Sequence, residues 1–213
     1  FYVQYTLTSY GKDIEPCLPD KRKVLIPQFL YLAEKLGKER MVWRCDPIMI
    51  NHRYTVEYHR KAFEQIAIAL EGATNRVVIS FLDLYRKMKN RENKEEPFRE
   101  VTKDEIYTLC AEFVQIAKRY NMSVMTCSEE ISLDHLGILH GCCIDKAMME
   151  ELVGYELKTL KDTNQRTNCG CIQSIDIGSY DTCPNGCVYC YATETKDQVE
   201  YHRNHYDIHS ELL

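Results

Sequence analysis

Residues 41–82 read MVWRCDPIMINHRYTVEYHRKAFEQIAIALEGATNRVVISFL, and this stretch decides the fold. The apolar run at 41–45 predicts a strand that the pair Asp46-Pro47 ends, and the run at 76–82 predicts a second strand. Between them, residues 55–70 place apolar side chains at helical spacing. A strand, a helix and a further strand at this spacing predict two parallel strands joined by a helical crossover.

The same alternation continues on both sides of this unit. Further strands are predicted at residues 2–8, 123–127 and 172–177, further helices at 26–36, 102–120 and 147–157, and a polar helix at the end of the chain. Thr102, with Glu105 three residues later, has the sequence pattern of a capping box. The pattern indicates an α/β fold. A partial TIM-like (β/α) barrel fits best, a doubly wound sheet is the alternative, and the pattern alone does not separate them.

The length and composition are those of one globular domain. The chain has 213 residues, of which 45% are apolar and 28% are charged. We expect a single domain over residues 1–213, with βα units in 1–165 and a cysteine-rich strand, loop and helix in 166–213. Because the chain begins with Phe1 rather than Met, directly at the first predicted strand, we expect that an N-terminal part of the domain is missing.

Charge and hydropathy narrow the function classes. The net charge is −5 and there is no long run of Lys or Arg, which disfavours a nucleic-acid partner without excluding a local basic patch. The apolar stretches are too short to cross a bilayer, which argues against a membrane partner. Eleven cysteines without an export leader favour metal or redox chemistry in the cytoplasm over a secreted disulfide scaffold.

Residues 183–190 read CPNGCVYC, a C-x3-C-x2-C pattern. The turn residues at 184–186 allow the thiolates of Cys183, Cys187 and Cys190 to converge on one inorganic cluster. Clusters are commonly held by four cysteine thiolates. Three thiolates on a four-iron cluster would leave one iron open to the amino and carboxylate groups of a small molecule.

This loop resembles the cluster loop of the radical S-adenosylmethionine (SAM) superfamily, with Tyr189 as the aromatic residue before the last cysteine. The longer string CPNGCVYCYA is similar to the loop of the spore photoproduct lyase branch. More of the chain resembles an uncharacterised bacterial family, a domain of unknown function with a C-terminal three-cysteine loop. The stretches that carry this second resemblance are YTLT (5–8), WRCDPI (43–48), ISF (79–81), HGCCID (140–145), CGC (169–171) and DIG (176–178).

The superfamily resemblance implies a reaction and a fold. A reduced 4Fe-4S cluster on the three cysteines passes one electron to SAM, which releases methionine and a 5′-deoxyadenosyl radical that abstracts hydrogen from an unknown substrate. It implies a one-electron reductant such as flavodoxin or ferredoxin, and places Tyr189 near the cluster and the adenine. Because the superfamily's loop follows its first strand, the C-terminal position here implies a circularly permuted barrel. The chain has no Gly-Gly-Glu-like segment to hold SAM.

Eight cysteines remain, and five of them could supply the ligands of a second site, namely the preferred four below and Cys142. Four are candidate ligands of a second iron–sulfur cluster, as many radical SAM proteins carry: Cys127, Cys143, Cys169 and Cys171. The alternative is that some of them are small buried residues. Three others are interpreted as packing residues: Cys17, Cys45 and Cys110.

Several polar residues at predicted strand ends are further candidates. Arg44 and Asp46 could bind a substrate carboxylate or the SAM ribose, or form an ion pair at the rim of the barrel. Asp83 and Glu129 could be proton donors, or could serve as surface or capping residues. Three histidines on the last helix could hold a metal, although a solvated face is the simpler interpretation: His202, His205 and His209.

Two hypotheses from different classes therefore remain open. In the first, the protein is a radical SAM enzyme. In the second, it is a non-catalytic protein stabilised by zinc or a cluster, in which Cys169 or Cys171 completes the ligand set. Zinc ribbons favour paired C-x2-C knuckles spaced well apart, and the cysteine loop contains one such pair only.

Overall fold

The structure is a computed structural model that describes residues 1–82, 98–167 and 169–210. Five strands form one parallel sheet, and their order in the sheet is their order along the chain. The strands are β1 (Val3–Thr6), β2 (Met41–Ile48), β3 (Arg76–Phe81), β4 (Ser123–Cys127) and β5 (Leu139–Gly141). The α-helices are α1 (Ile26–Leu36), α2 (Val56–Ala69), α3 (Lys103–Arg119), α4 (Lys146–Val153) and α5 (Lys196–His205).

Local signals set the ends of the main helices. The Thr55 hydroxyl accepts a hydrogen bond from the backbone N–H of Tyr58 and caps α2. Thr102 and Glu105 form the predicted capping box at the start of α3. Gly37, with φ of 89°, ends α1 in a conformation that a side chain would oppose. The predicted helices at these places are confirmed, because each carries its own start or stop residue.

Helices α1, α2 and α3 cover the same face of the sheet. Trp43 on β2 stacks on Phe63 of α2 at 4.7 Å between ring centroids, and Phe63 stacks on Phe113 of α3 at 3.9 Å. Each of these side chains is at most 1% exposed. Burial of one such ring, for example that of Phe63, stabilises the fold by about 1.5–3 kcal/mol. The same core takes in Phe29 of α1. The main hydrophobic core therefore lies between this face and these three helices.

The opposite face of the sheet is apolar at one end and polar at the other. Met148 of α4 packs there against Val42 and Val78. Further toward the carboxyl ends of the strands, the same face carries Arg44 and Cys127. We call this the inner face.

The predicted strand at 172–177 is wrong. Only Ile172 makes a bridge, an isolated antiparallel one to Lys161, and Ile175 and Ile177 are 90% and 85% exposed. Alternating apolar residues form a strand only beside a neighbouring strand, and none lies there in the described chain. The fifth strand is β5 instead, which is three residues long and carries too short a pattern to be predicted. The C-terminal region thus keeps its predicted loop and helix and loses its strand.

Two other boundaries differ from the prediction. Strand β2 continues through Pro47 to Ile48, with a register shift after Cys45 that accommodates the missing proline N–H. Helix α4 ends at Val153, because Gly154 adopts the left-handed conformation. Among the described residues, no helix has both the length and the apolar character that a membrane span requires.

Candidate functional site

The cysteine loop, residues 183–190, lies against the segment that connects β1 to α1. The N–H of Val188 donates to the carbonyl of Ile14 at 2.9 Å, and the N–H of Cys17 donates to the carbonyl of Asn185 at 3.1 Å. Gly186 turns the loop with φ of 65°. The loop is therefore fixed by backbone hydrogen bonds beside the carboxyl end of the first strand.

A buried carboxylate ties the cysteine loop to the same segment. Glu15 is 2% exposed and accepts hydrogen bonds from the hydroxyls of Thr8 and Tyr189, each at 2.5 Å. Its other oxygen pairs with the ammonium group of Lys21. A buried charge needs such partners, because removing it from water unpaired would be costly. Tyr189 thus joins the loop to a charged network that the local sequence does not reveal.

A buried, mainly aromatic cluster packs against the Tyr189 side chain that contacts Glu15. Tyr189 and Val188 pack against a group of buried residues that includes Tyr10, Met49 and Tyr54. The Tyr10 ring lies 6.1 Å from the Tyr189 ring, centroid to centroid. The predicted position of Tyr189 near SAM adenine is untested, whereas its hydroxyl points to Glu15.

Burial and nearby charges act on the central cysteine of the loop. Burial, then the charge of Glu15, raises the pKa of Cys187 to about 11, and the charges of Cys190 and Cys183 add to this effect. Cys183 is exposed, while the other two are partly buried. Thiolates are the ligands that iron–sulfur clusters and zinc take, so the donor types of the loop fit either group. As placed, no three His, Cys, Asp or Glu side chains in the described chain are arranged to hold a metal ion.

A second cysteine group lies at the inner face. It consists of Cys127, Cys142, Cys143, Cys169 and Cys171, and we call it the inner-face group. The sulfur of Cys127, at the end of β4, lies 3.0 Å from the sulfur of Cys143, which follows β5. Strand pairing brings these two together, because the carboxyl ends of neighbouring parallel strands meet at one edge.

The rest of the inner-face group adjoins this pair. The N–H of Ile144 donates to the sulfur of Cys171 at 3.3 Å, and burial, followed by an interaction with Cys169, raises the pKa of Cys171 to about 11. A Cβ atom added at Gly170 would lie 2.5 Å from the sulfur of Cys142, so a larger residue there would require the Cys142 side chain to move. Four of these five cysteines are the set predicted for a second cluster. Cys142 is an additional member.

Charge divides the Cys127–Cys143 pair. The hydrogen bond from Cys127 and the guanidinium of Arg44, 2.7 Å from the sulfur, lower the pKa of Cys143. The same hydrogen bond, followed by burial, raises the pKa of Cys127. The two pKa shifts favour a thiolate at Cys143 and a protonated thiol at Cys127.

Arg44 and Asp46 form a buried ion pair. Their side chains are 14% and 11% exposed, and Arg44 donates to both carboxylate oxygens. The remaining Arg44 contacts are to Gln4 at 2.8 Å and to Cys143. This arrangement matches the ion-pair interpretation. Binding of a substrate carboxylate or the SAM ribose there stays a prediction.

The other candidates have structural contacts. Glu129 accepts a hydrogen bond from the N–H of Phe81 at 2.8 Å and so caps the end of β3. His205 hydrogen-bonds to the Tyr201 carbonyl at 2.8 Å within α5, whereas His209 lies beyond the helix, so the predicted histidine face is incomplete. Asp83 lies outside the described residues.

The three predicted packing cysteines have two different outcomes. Cys45 and Cys110 are buried, as predicted, and burial raises the pKa of Cys110 to about 12. Cys17 is exposed, so its assignment as a packing residue is wrong. It was misassigned because its neighbour, the cysteine loop, is far away in sequence. Glu15 was missed for the same reason.

The pKa of Tyr191, which follows the cysteine loop, is raised mainly by burial, and the charges of Tyr180, Cys190 and Cys143 add to this effect.

Comparison with known proteins gives one match. The family described as Domain of unknown function (DUF1848) matches residues 1–192, which include the cysteine loop and the whole inner-face group. No curated protein and no solved structure matches the chain.

Proposed function

We propose that this chain, which belongs to the DUF1848 family, is a radical SAM enzyme that holds a 4Fe-4S cluster on Cys183, Cys187 and Cys190. The observation that carries the proposal is the cysteine loop itself. Its C-x3-C-x2-C spacing is fixed by backbone hydrogen bonds to the segment that follows β1. When bound, such a cluster supplies an electron that cleaves SAM to methionine and a 5′-deoxyadenosyl radical, which abstracts hydrogen from a substrate of unidentified class.

The protein's own residues would position this centre. Tyr189 and Glu15 fix the loop to the sheet, and Lys21 balances the buried charge. The aromatic cluster beneath Tyr189 keeps water from that side of the loop. A cofactor enzyme needs this kind of positioning and exclusion of water, since the cofactor performs the chemistry.

In this proposal the sheet is part of a circularly permuted (β/α) barrel. Sequential strand order and the placement of α1, α2 and α3 on one face support it. A doubly wound sheet would reverse its strand order at a switch point, and the order here does not reverse among the described strands. The polar inner face would then be the barrel interior, where radical chemistry is shielded.

The proposal includes a reductant and a location. The electron would come from a protein such as flavodoxin or ferredoxin. Such a reductant is present in the cytoplasm, where we place this protein. The inner-face group would hold a second iron–sulfur cluster on Cys127, Cys143, Cys169 and Cys171. The contacts of Cys143 with Cys127, and of Cys169 with Cys171, support this second site.

A second candidate function is a non-catalytic zinc protein. The observation that favours it is Cys17, an exposed cysteine whose backbone N–H donates a hydrogen bond to the carbonyl of Asn185 in the cysteine loop. Four thiolates would satisfy a tetrahedral zinc ion and leave no open position.

One assay separates the two functions. The full chain is purified without oxygen, reconstituted with iron and sulfide, reduced and supplied with SAM. Formation of 5′-deoxyadenosine supports the radical SAM enzyme. A colourless chain that retains zinc and leaves SAM intact would support the second function and overturn the first.

A further inference from the structure

We propose that Cys127 and Cys143 are a redox-active pair, which a small-molecule disulfide converts to an intramolecular disulfide when the inner face holds no cluster. The new bond ties β4 to the segment that follows β5. The reaction needs no metal and is independent of the proposed radical SAM chemistry. Because a sulfur atom in a disulfide has no thiolate to give to a metal ion, this disulfide and the second cluster exclude each other.

The two sulfur atoms already face each other. The sulfur of Cys127 lies 3.0 Å from the sulfur of Cys143. The sulfur atoms of a disulfide are about 2.05 Å apart, so an approach of about 1 Å closes the bond. Small rotations of the two side chains supply such a change without moving either strand.

The backbone is fixed on both sides of the pair. Cys127 lies opposite Gly141 in the β4–β5 pairing. A Cβ atom added at Gly141 would lie 2.7 Å from a backbone carbonyl oxygen of β4, so a side chain there would push the two strands apart. After β5, the carbonyl of Cys143 accepts hydrogen bonds from the hydroxyl of Tyr2 and the side-chain amide of Gln4. These contacts keep the two cysteines together.

Arg44 selects Cys143 as the sulfur that attacks first. The guanidinium of Arg44 donates to this sulfur at 2.7 Å, and Asp46 holds the guanidinium in place. A cation so close favours negative charge on the sulfur, and the thiolate is the nucleophile in thiol–disulfide exchange. Cys127 and Cys143 are only partly buried, so a small disulfide can reach them.

The exchange has two steps. The Cys143 thiolate attacks one sulfur of the small disulfide, which forms a mixed disulfide and releases one small thiol. The Cys127 sulfur then loses its proton and attacks the Cys143 sulfur, which releases the second small thiol. The cysteine pair loses two electrons and the small disulfide gains them, while the two cysteine protons end on the released thiols.

The test maps disulfides in the metal-free full chain after treatment with hydroxyethyl disulfide. Trypsin leaves Cys127, Cys142 and Cys143 on one peptide, because no Lys or Arg stands between residues 119 and 146. A protease that cleaves after glutamate, at 129 or 130, separates Cys127 from the other two. Cys127→Ala removes the second step. Cys142→Ala is the matched control, because it removes the thiol next to Cys143 and keeps the pair.

We expect a peptide cross-linked through Cys127 and Cys143 in wild type and in Cys142→Ala, and its loss on reduction with dithiothreitol. In Cys127→Ala, Cys143 should keep the hydroxyethyl adduct at several-fold higher yield than in wild type. Circular dichroism checks that each variant is folded. A wild-type chain in which Cys143 stays unmodified, or is joined to another cysteine instead, would overturn the inference without recourse to any variant. Because no metal is present, that result would leave the proposed function intact.

Discussion

The two cysteine groups are held in opposite ways. The cysteine loop has no strand or helix of its own and is fixed to the β1–α1 connection by Glu15 and Tyr189. The inner-face group begins on strand β4 and is held against the ion pair of Arg44 and Asp46. Two of its members, Cys169 and Cys171, are buried, whereas Cys183 of the loop is exposed.

This difference indicates a division of roles. A partly exposed loop that is fixed to the β1–α1 connection can exchange ligands with small molecules without disturbing the core. A group that shares hydrogen bonds with a buried ion pair is part of the structure, and changes there affect folding. We therefore expect the loop to determine activity and the inner face to determine stability.

Cys187→Ala gives the largest expected effect. It should abolish 5′-deoxyadenosine formation, because two thiolates cannot hold the cluster. The free energy of unfolding of the metal-free variant should differ from that of metal-free wild type by less than about 1 kcal/mol, since the loop lies outside the main core. Urea denaturation and circular dichroism measure the second part. A variant that fails to fold would instead favour the zinc protein, in which metal binding drives folding.

Arg44→Met tests the inner face. It leaves the Asp46 carboxylate buried without its cation, so we expect a loss of about 3–5 kcal/mol in the free energy of unfolding. The mostly buried positions of both side chains, 14% and 11% exposed, justify this range. Arg60→Met is the matched control, because Arg60 pairs with Glu57 on the surface and should matter little. Equal effects of the two variants in urea denaturation would contradict the assigned role of the ion pair.

Thiol reactivity separates the two groups by pH in the metal-free protein. Arg44 and Cys127 lower the pKa of Cys143, while burial and Glu15 raise the pKa of Cys187 to about 11. The reactive form is the thiolate, so at pH 7 Cys143 should be alkylated more than about tenfold faster. Mass spectrometry after iodoacetamide treatment at several pH values measures both rates. The advantage should shrink as the pH rises toward 11, and faster labelling of Cys187 at neutral pH would contradict the assignment.

Tyr189→Phe gives the smallest expected effect. It removes the hydrogen bond to the charged, buried Glu15 carboxylate and keeps the ring in the aromatic cluster, so we expect a loss of about 1.5–3 kcal/mol in the free energy of unfolding. Tyr155→Phe, at a side chain that is 64% exposed, is the control. No difference between these variants in thermal unfolding would mean that the Glu15 contact does not stabilise the loop.

The sequence predicts the parts of the fold that carry local signals. The capping box of Thr102 and Glu105 and the apolar run of β3 each define an element without help from elsewhere. The strand expected at 172–177 failed because a strand depends on its neighbour. Strand β5 was missed because it is short and owes its place to pairing with β4.

The candidate site divides along the same line. The C-x3-C-x2-C spacing within residues 183–190 can be read from the sequence, and the cysteines themselves indicate metal binding. Glu15 and Cys17 belong to the site through contacts that span about 170 residues, and no local pattern reports such contacts. Cys127 and Cys143 could be selected as cysteines, but the Arg44 contact that makes Cys143 the thiolate comes from the fold.

The most direct test of the central claim is the electron paramagnetic resonance (EPR) spectrum of the reconstituted, reduced protein with and without SAM. An open iron on the cysteine loop predicts the signal of a reduced 4Fe-4S cluster that changes when SAM is added. The SAM-sensitive signal should be missing from Cys187→Ala and remain in Cys110→Ala. A wild-type chain that gives no signal, or a signal that SAM leaves unchanged, would contradict the account.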